Sequence, residues 1–552
     1  VSQLSTATGL PGALLGAPSA GGRASKSGDD GGSIVPWLGS VAGIGLLIVI
    51  WELFAVFVFN GKHVMPTPLG LLEGLWDNKT LLWENAGITL SEAGQGYLWG
   101  NLLAIGLALI FVISPPVEAA LLRLAIASYC MPIIAIAPIL NIVFNGDEPK
   151  VVLAALSVFF TTLVGMSAGL RSADQMTLDL VHAYGGTTWA ALVKVRVRAA
   201  LPSLFAALRI AAPAALLGAI VGEYLGGTYG IGVAMINAEQ SLDTTRVWSL
   251  ALFAAAVAGI AYAATGFAAN RATPWARGAG SSSPARRRPT SLSRTTRALR
   301  TGTFLVVSIA VTLALWIAFI KVFNLNSYFA KSPGEVWDFL FQGSSASGNR
   351  LQLWQSMVTT LRDASLGYGF GTVLAVGAAM AVVTSRSVES AFMPVAIVLR
   401  SVPLVAMTPL IALALGRGLV SVTVIAGIVT FFPTLVNVVA GLRSAPHDSI
   451  QLMRAYNASR MTTLFKVQLP SALPSLFASA KIAAPGAMLG AVLAEWLSTG
   501  QGLGYLMLTA STSSEFALLW SGVVLITVAS VVIYAIVGII ETPVLDRFGP
   551  AG

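Results

Sequence analysis

Long apolar runs alternate with short polar stretches along most of the chain. Runs of the roughly 17–25 residues needed to cross a bilayer fall near 36–58, 97–114, 124–144, 150–170, 204–225 and 246–268. A second set falls near 302–322, 366–384, 393–414, 418–440, 476–497 and 518–540. The pattern predicts an all-α polytopic membrane protein of twelve spans in two sets of six. Composition agrees: 55% of residues are hydrophobic and only 10% charged, with mean hydropathy +0.78, whereas a soluble domain carries about 25% charged residues.

The two sets are copies of one another. The heptapeptide ALPSLFA begins at Ala200 and again at Ala472. Trp51 aligns with Trp316, Pro68 with Pro333, and Gly96 and Gly100 with Gly367 and Gly371. Pro132 and Pro138 align with Pro403 and Pro409, Glu223 with Glu495, Gly230 and Gly232 with Gly502 and Gly504, and Trp248 with Trp520. Equivalent points are six spans apart, so the halves share one orientation. They are expected to be related by a pseudo-two-fold axis along the membrane normal, a parallel-repeat arrangement used by transporters.

Charge sets the orientation. The stretch 271–300 holds eight arginines and no acidic residue, and by the bias of basic residues toward short cytoplasmic loops it lies in the cytoplasm. Counting spans outward places both termini there, together with the stretch before each ALPSLFA. Residues 1–35 are rich in Gly, Ser and Ala, and their short apolar piece is broken by Pro11 and Gly12 without a basic lead. A disordered cytoplasmic tail is expected, not a cleaved signal peptide. The expected organisation is a tail over 1–35, a first transmembrane domain over 36–270, a basic linker over 271–301 and a second transmembrane domain over 302–545. Cys130, the single cysteine, sits in an apolar run and is expected to be a free core thiol.

Between the fourth and fifth runs of each half lies a polar stretch, DLVHAYGGTTWAALVKVRVRAALPSLF from Asp179 and QLMRAYNASRMTTLFKVQLPSALPSLF from Gln451. Each reads as helix, tight turn, helix. Gly185-Gly186 and Asn457 suit a left-handed turn, and Thr187 and Ser459 suit the N-cap that follows. Leu192, Val195 and Ala199 recur at helical spacing, with Lys194, Arg196 and Arg198 on other sides. Such a helix could lie on anionic lipid, but its repetition at the same place in both halves favours a symmetric, two-lobed partner.

These stretches resemble the cytoplasmic motif E-A-A-x3-G-x9-I-x-L-P of membrane subunits of binding-protein-dependent ABC importers. Gln451, Asn457, Val467, Leu469 and Pro470 fall at its E, G, I, L and P positions, as do Asp179, Gly185, Val195, Val197 and Arg198. The spacing is kept in both copies and the residue types in part. The chain also resembles the nitrate/sulfonate/taurine type of permease over about 36–268 and 302–543. Arg400, Pro403, Ala406 and Pro409 match its R-x-x-P-x-x-A-x-x-P; Pro132, Ala135 and Pro138 match it in the first half, with Tyr129 at the arginine position. Pro202, Arg209, Glu223, Gly230 and Gly232 match its further signature, as do Pro474, Lys481, Glu495, Gly502 and Gly504.

The resemblance implies a type I importer-like permease in two fused halves. It implies an ATPase-coupling loop formed by Asp179, His182, Ala183, Tyr184, Gly185, Gly186 and Lys194, and by Gln451, Arg454, Ala455, Tyr456, Asn457, Ala458, Lys466 and Pro470. No G-x-x-x-x-G-K-[ST] phosphate loop and no metal-ligand cluster occurs in the sequence. No catalytic residue, metal or cofactor is therefore expected in this chain. ATP and magnesium would be held by two separate ABC ATPase subunits, and an extracytoplasmic binding protein would deliver a small organic or inorganic anion. Besides these partners only membrane lipid is expected, not nucleic acid. The rival reading is a twelve-span secondary transporter driven by an ion gradient, which would be expected to carry a coupling carboxylate near mid-membrane; the spans hold almost none.

Ionisable residues inside spans are functional candidates by default. Arg209 and Glu223 lie on one predicted helix ~21 Å apart and cannot pair. Arg209, whose counterpart in the second half is Lys481, could snorkel to headgroups, and Glu223 and Glu495 read better as gate or helix-cap residues than as solute ligands. Arg400, opposite Tyr129, would place one positive charge asymmetrically between the halves. Pro132, Pro138, Pro403 and Pro409 interrupt the third and ninth spans and free carbonyls that a cavity could satisfy, which favours placing these spans along the pathway. The small-residue faces AAPAALLGAIVGE and AAPGAMLGAVLAE read as packing surfaces.

Overall fold

The computed structural model describes residues 51–58, 65–144, 146–275, 294–385 and 404–548, with isolated positions in 45–49 and 387–396. No strand occurs among them. Nine of the described helices are long and apolar enough to cross a membrane, and ten spans result if one sharply bent pair is a single span. The expected spans 36–58 and 393–414 lie partly outside the described residues, as do the tail 1–35 and most of the linker 271–301.

In the first half, α1 (Pro68–Asp77) leads into α2 (Lys79–Ile113), α3 (Pro115–Cys130), α4 (Ile133–Val143), α5 (Glu148–Arg171) and α6 (Gln175–Ala183). Then follow α7 (Thr188–Gly226), α8 (Ile231–Gln240) and α9 (Thr244–Ala272). In the second half, α10 (Arg294–Val322) starts inside the expected linker and is followed by α11 (Pro333–Phe341), α12 (Ala346–Thr384), α13 (Leu404–Leu415), α14 (Leu419–Arg443) and α15 (His447–Ala455). The half ends with α16 (Arg460–Thr499), α17 (Gly502–Thr512) and α18 (Phe516–Phe548).

Each half is built on three helices in close approach, and glycine sets the separation. A Cβ at Gly96 would lie 2.3 Å from the Ala154 Cβ and one at Gly100 2.5 Å from the Ala155 carbonyl oxygen, so α2 and α5 touch backbone to backbone. Gly367 and Gly371 repeat this between α12 and α14, at 2.3 Å from the Ala426 Cβ and 2.0 Å from the Thr430 hydroxyl. On the other side of the same helices, Gly218 of α7 abuts Ala154 and Gly490 of α16 abuts Ala426, each at 2.7 Å from the Cα. The G-x-x-x-G pairs and the small-residue faces are thus the two sides of one sandwich, as expected where close packing rather than water drives helix association.

The aligned tryptophans also meet within each half: Trp51 lies 5.5 Å from Trp248, and Trp316 stacks at 5.3 Å on Trp520. The halves are joined through one continuous hydrophobic core containing Leu216 and Ile220 from the first and Met488 and Trp520 from the second. Helix α10 of the second half lies on α3 of the first: the Ser308 hydroxyl donates to the Ala120 carbonyl at 2.8 Å.

Candidate functional site

The stretch before each ALPSLFA folds as a helix, a turn and a second helix in both halves. Helix α6 ends in a Schellman motif: the Gly186 N–H donates to the Val181 carbonyl at 2.8 Å and the Gly185 N–H to the His182 carbonyl at 2.9 Å. Gly185 takes the required left-handed conformation at φ 76°. The second half makes the same two bonds, from Ala458 to Met453 and from Asn457 to Arg454, with Asn457 at φ 51°. Thr187 and Ser459 then cap the next helix, their hydroxyls accepting from the Ala190 and Thr462 N–H at 3.2 and 3.1 Å.

Asp179, His182, Ala183, Gln451, Arg454 and Ala455 are exposed on the first helix of each pair, and Lys194 and Lys466 on the second. Gln175 donates to the Asp179 carboxylate at 2.9 Å, and Gln451 meets the His447 ring at 2.8 Å. Tyr184 and Tyr456 protrude at the apex, 87% and 79% exposed, beside exposed Leu180 and Leu452. The first helices differ in anchoring. Asp174 caps α6, and the Thr177 hydroxyl and N–H hold its carboxyl below the usual range. Helix α15 starts at Pro446 without a side-chain cap and has no buried residue.

The second helix is not a separate element that stops before the membrane. It runs on as α7 for 39 residues and as α16 for 40, each with a π turn at the same place, Leu192–Arg196 and Leu464–Gln468, and α16 with a second at its end, Glu495–Thr499. Pro470 follows that turn, and ALPSLFA lies inside the continuous helix. Its alanines are packing points: a Cβ on Gly169 would meet the Ala200 Cα at 2.8 Å, and one on Gly441 the Ala472 Cα at 3.1 Å. Support from the neighbouring helix lets Pro202 and Pro474 sit in a helix interior despite the hydrogen bond each forgoes.

At the opposite end, Glu223 and Glu495 hold the turn into α8 and α17. The Glu223 carboxylate, buried, accepts from the Thr89 hydroxyl at 2.6 Å and from the Gly232 N–H at 2.7 Å, while Thr89 accepts from the Ile231 N–H at 2.9 Å. Glu495 accepts from Thr360 at 2.9 Å and Gly504 at 2.7 Å, and Thr360 accepts from Leu503 at 2.9 Å. The first N–H groups of a helix lack partners within it, and these carboxylate–threonine pairs supply them. The G-x-G follows from the same packing. A Cβ at Gly230 or Gly502 would lie 2.2 Å from the glutamate carboxyl carbon, and both glycines have positive φ.

Between the halves lie the broken elements. Helices α3 and α4 meet at 92° across Met131 and Pro132, so the interruption expected in the third span, 124–144, is a sharp turn between two helices. Pro132 stands at the break, whereas Pro138 and Pro409 lie inside α4 and α13. Helix α4 touches α16 and α17 of the second half, and α13 touches α8 and α9 of the first. Tyr129 stacks on Phe160 at 4.5 Å and donates to the Ile482 carbonyl across the seam at 3.2 Å. Arg400 and Pro403 lie outside the described residues.

Other charged candidates are engaged in packing. The Arg209 guanidinium covers the Tyr262 ring at 4.0 Å and lies against Gly266. Lys481 pairs with Glu541, both buried, against Gly538. Several partners escaped the sequence reading: Thr89, Thr360, Glu541, and the ion pairs Arg171–Glu118 and Arg443–Glu389. All but Glu541 recur in both halves, so the repeat alignment carried a signal for them.

Comparison with known proteins bears directly on this duplicated architecture. A probable ABC transporter permease of Haemophilus influenzae is 33% identical over 210 residues, 38% of this chain and 86% of the relative. A formylaminopyrimidine transport permease of Halalkalibacterium halodurans is 29% identical over 42% of this chain and 92% of its own length. A riboflavin transport system permease of Chloroflexus aurantiacus is 29% identical over 43% of this chain and 87% of its own. Each relative thus corresponds in extent to one half. The profile of the binding-protein-dependent transport system inner membrane component matches residues 100–275 and again 371–546. The chain therefore belongs to the binding-protein-dependent transport system inner membrane component family, as a fused two-half permease of an ABC importer.

Proposed function

We propose that this permease forms the solute pathway along the seam between its halves and is driven by two separate ATPase subunits, one on each helix–turn–helix. The observation that carries this reading is the duplicated segment 174–196 and 446–468. Both copies have the same turn bonds, the same cap position and an exposed tyrosine at the apex. An exposed apolar side chain repeated at a fixed place outside the spans suits a partner's cleft. In this reading both termini face the cytoplasm, the chain sits in the cell membrane, and an external binding protein delivers cargo to the α8 and α17 side. ATP and magnesium belong to the ATPases, and closure of these subunits tilts the halves.

The cargo in this reading is a small organic or inorganic anion of the nitrate, sulfonate or taurine type, as the proline and glycine motifs suggest. The broken pair α3–α4 and the helix α13, both at the seam, support the placement of the pathway, with Tyr129, Pro132, Pro138, Pro409 and the neighbouring Arg400 and Pro403 as its candidates. The engagement of Glu223, Glu495, Arg209 and Lys481 in local contacts supports structural roles for those four.

Affinity purification of the tagged chain from native membranes, followed by intact-mass analysis, tests the stoichiometry; two small ATPase copies per chain are expected. The double variant Gly185→Arg/Asn457→Arg should stay inserted yet lose ATP-driven transport. A chain that purifies alone from membranes whose uptake follows an ion gradient without ATP would overturn the reading.

A further inference from the structure

We infer that a charge-paired joint, Arg171–Glu118, repeated as Arg443–Glu389 in the second half, ties the root of the helix–turn–helix to α3 and its counterpart, and that in the first half α3 passes this displacement to the seam. The inference rests on the coupling role proposed above for 174–196 and 446–468.

The placement of the two pairs is the first observation. Arg171 is in the last turn of α5, just before α6, and Glu118 is in the first turn of α3. The two form an ion pair. In the second half Arg443 ends α14, just before α15, and pairs at 2.6 Å with Glu389, which lies in the helical segment equivalent to α3. The four positions coincide when the halves are aligned. Loop lengths and neighbouring side chains differ between the copies, yet the pair is kept in both.

A hydrophobic cluster beside each pair is the second. In the first half it joins Phe111 of α2, Ala125 of α3, Leu163 and Leu170 of α5, and Leu192 from the π turn of α7. In the second half it joins Val382, Ala396, Leu435, Leu442 and Leu464 in the same order. Leu192 and Leu464 come from the second arm of the helix–turn–helix, so that arm, the pair and the start of the broken span form one packed unit. Interiors packed at this density transmit displacement instead of absorbing it.

The far end of α3 is the third. This helix of 16 residues is about 24 Å long. Its last turn holds Tyr129, bonded to the Ile482 carbonyl of the other half, and its end turns 92° into α4, which packs on α16 and α17. One end of α3 therefore sits on the root of the helix–turn–helix and the other on the seam. Partly exposed ion pairs contribute little to folding stability; the side chains of Arg443 and Glu389 are 46% and 37% exposed. Alignment of the two ends is the role that remains for them.

Cys130, the single cysteine, is buried at the seam end of α3 and serves as a reporter. The full chain with its co-purified ATPases is reconstituted in bilayers, and the rate of N-ethylmaleimide labelling of Cys130 is measured without nucleotide and with a non-hydrolysable ATP analogue. The parent is expected to change its labelling rate when the analogue binds. Arg171→Ala and Glu118→Ala should bring the rate with analogue back to the nucleotide-free value while the ATPases still co-purify. The swap Arg171→Glu/Glu118→Arg should restore the response, which a loss of packing alone would not do. A parent whose uptake needs ATP but whose Cys130 labelling does not respond to the analogue refutes the joint, whereas a parent whose uptake does not need ATP refutes the coupling role. A responsive parent whose single variants respond equally, or a swap that restores nothing, refutes the joint and leaves the coupling role standing.

Discussion

Replacing the two turn-holding glutamates separates a structural carboxylate from one that contacts solute. In Glu223→Ala the Gly232 N–H, 2.7 Å from the carboxylate, loses its partner in a buried place. The Thr89 hydroxyl still has the Asn85 carbonyl at 3.1 Å. One orphaned buried donor costs about 1–3 kcal/mol, and Glu495→Ala should cost a similar amount through Gly504. Glutamine behaves differently. At 223 its oxygen can keep the Gly232 bond while its amide donates to Thr89, whose hydrogen turns to Asn85. At 495 one oxygen, Oε2, already takes both bonds and Oε1 is buried without a partner, so glutamine can keep both bonds and puts its amide where the parent already has an unpartnered polar atom, exchanging one orphan for another. The assay is thermal unfolding of the purified complex together with ATP-driven uptake in vesicles. The alanine variants are expected to melt earlier and transport poorly, and the glutamine variants to match the parent in both. Glutamine variants that are stable but inactive would refute the structural role and point to a required charge. Alanine variants as stable as the parent would refute the hydrogen-bond argument itself.

Lys150 pairs with Glu92 at 3.1 Å, both buried, so Lys150→Met should cost about 3–5 kcal/mol by stranding a carboxylate. The double variant with Glu92→Gln should recover most of that loss in the same unfolding measurement, because the only carboxylate then left without Lys150 is Asp147, which is exposed to solvent. Gly96→Ala and Gly367→Ala each place a methyl 2.3 Å from a facing alanine Cβ and should cost about 1–3 kcal/mol by forcing the helices apart, read as lower thermal stability. Outside the spans, partial burial pushes the Glu335 carboxyl up, but hydrogen bonds from Ser332 and the Lys331 charge outweigh it and leave it below the usual value. A carboxyl depressed on folding stabilises above its unfolded pKa and loses that contribution as pH falls through the folded one. The protection of α11 amides, taken relative to intrinsic exchange at each pH, should therefore fall in acid, and Ser332→Ala should remove the part of that dependence due to the hydroxyl while leaving the part due to the Ser332 N–H.

The twofold design was written in the sequence because a duplicated gene segment keeps the positions where chemistry leaves little choice. Gly96 and Gly100 recur as Gly367 and Gly371 because only a missing Cβ lets the backbones touch. Turn and cap were legible for the same local reason: few residues tolerate positive φ, and Gly185 and Asn457 are among them. Apolar run length located the nine described helices that are long enough to cross a membrane, since bilayer thickness fixes the length required.

Other features depended on contacts between distant residues. Glu223 was visible as a carboxylate in a span, but its meaning rests on Thr89, 134 residues away, and on the first N–H groups of α8. Pro132 announced an interruption of the third span, yet the 92° turn, and which half each arm touches, are settled by packing at the seam. The polar helix before each ALPSLFA and the apolar run after it were legible separately, but their fusion into one helix, packed at Ala200 on Gly169 and at Ala472 on Gly441, appears only in the structure. Local sequence determined where helices could begin, turn and come close, since those rules act over one or two turns. Only the tertiary structure decided which buried charges have partners and how the ends of each half are tied together, because those bonds join residues that the chain keeps far apart.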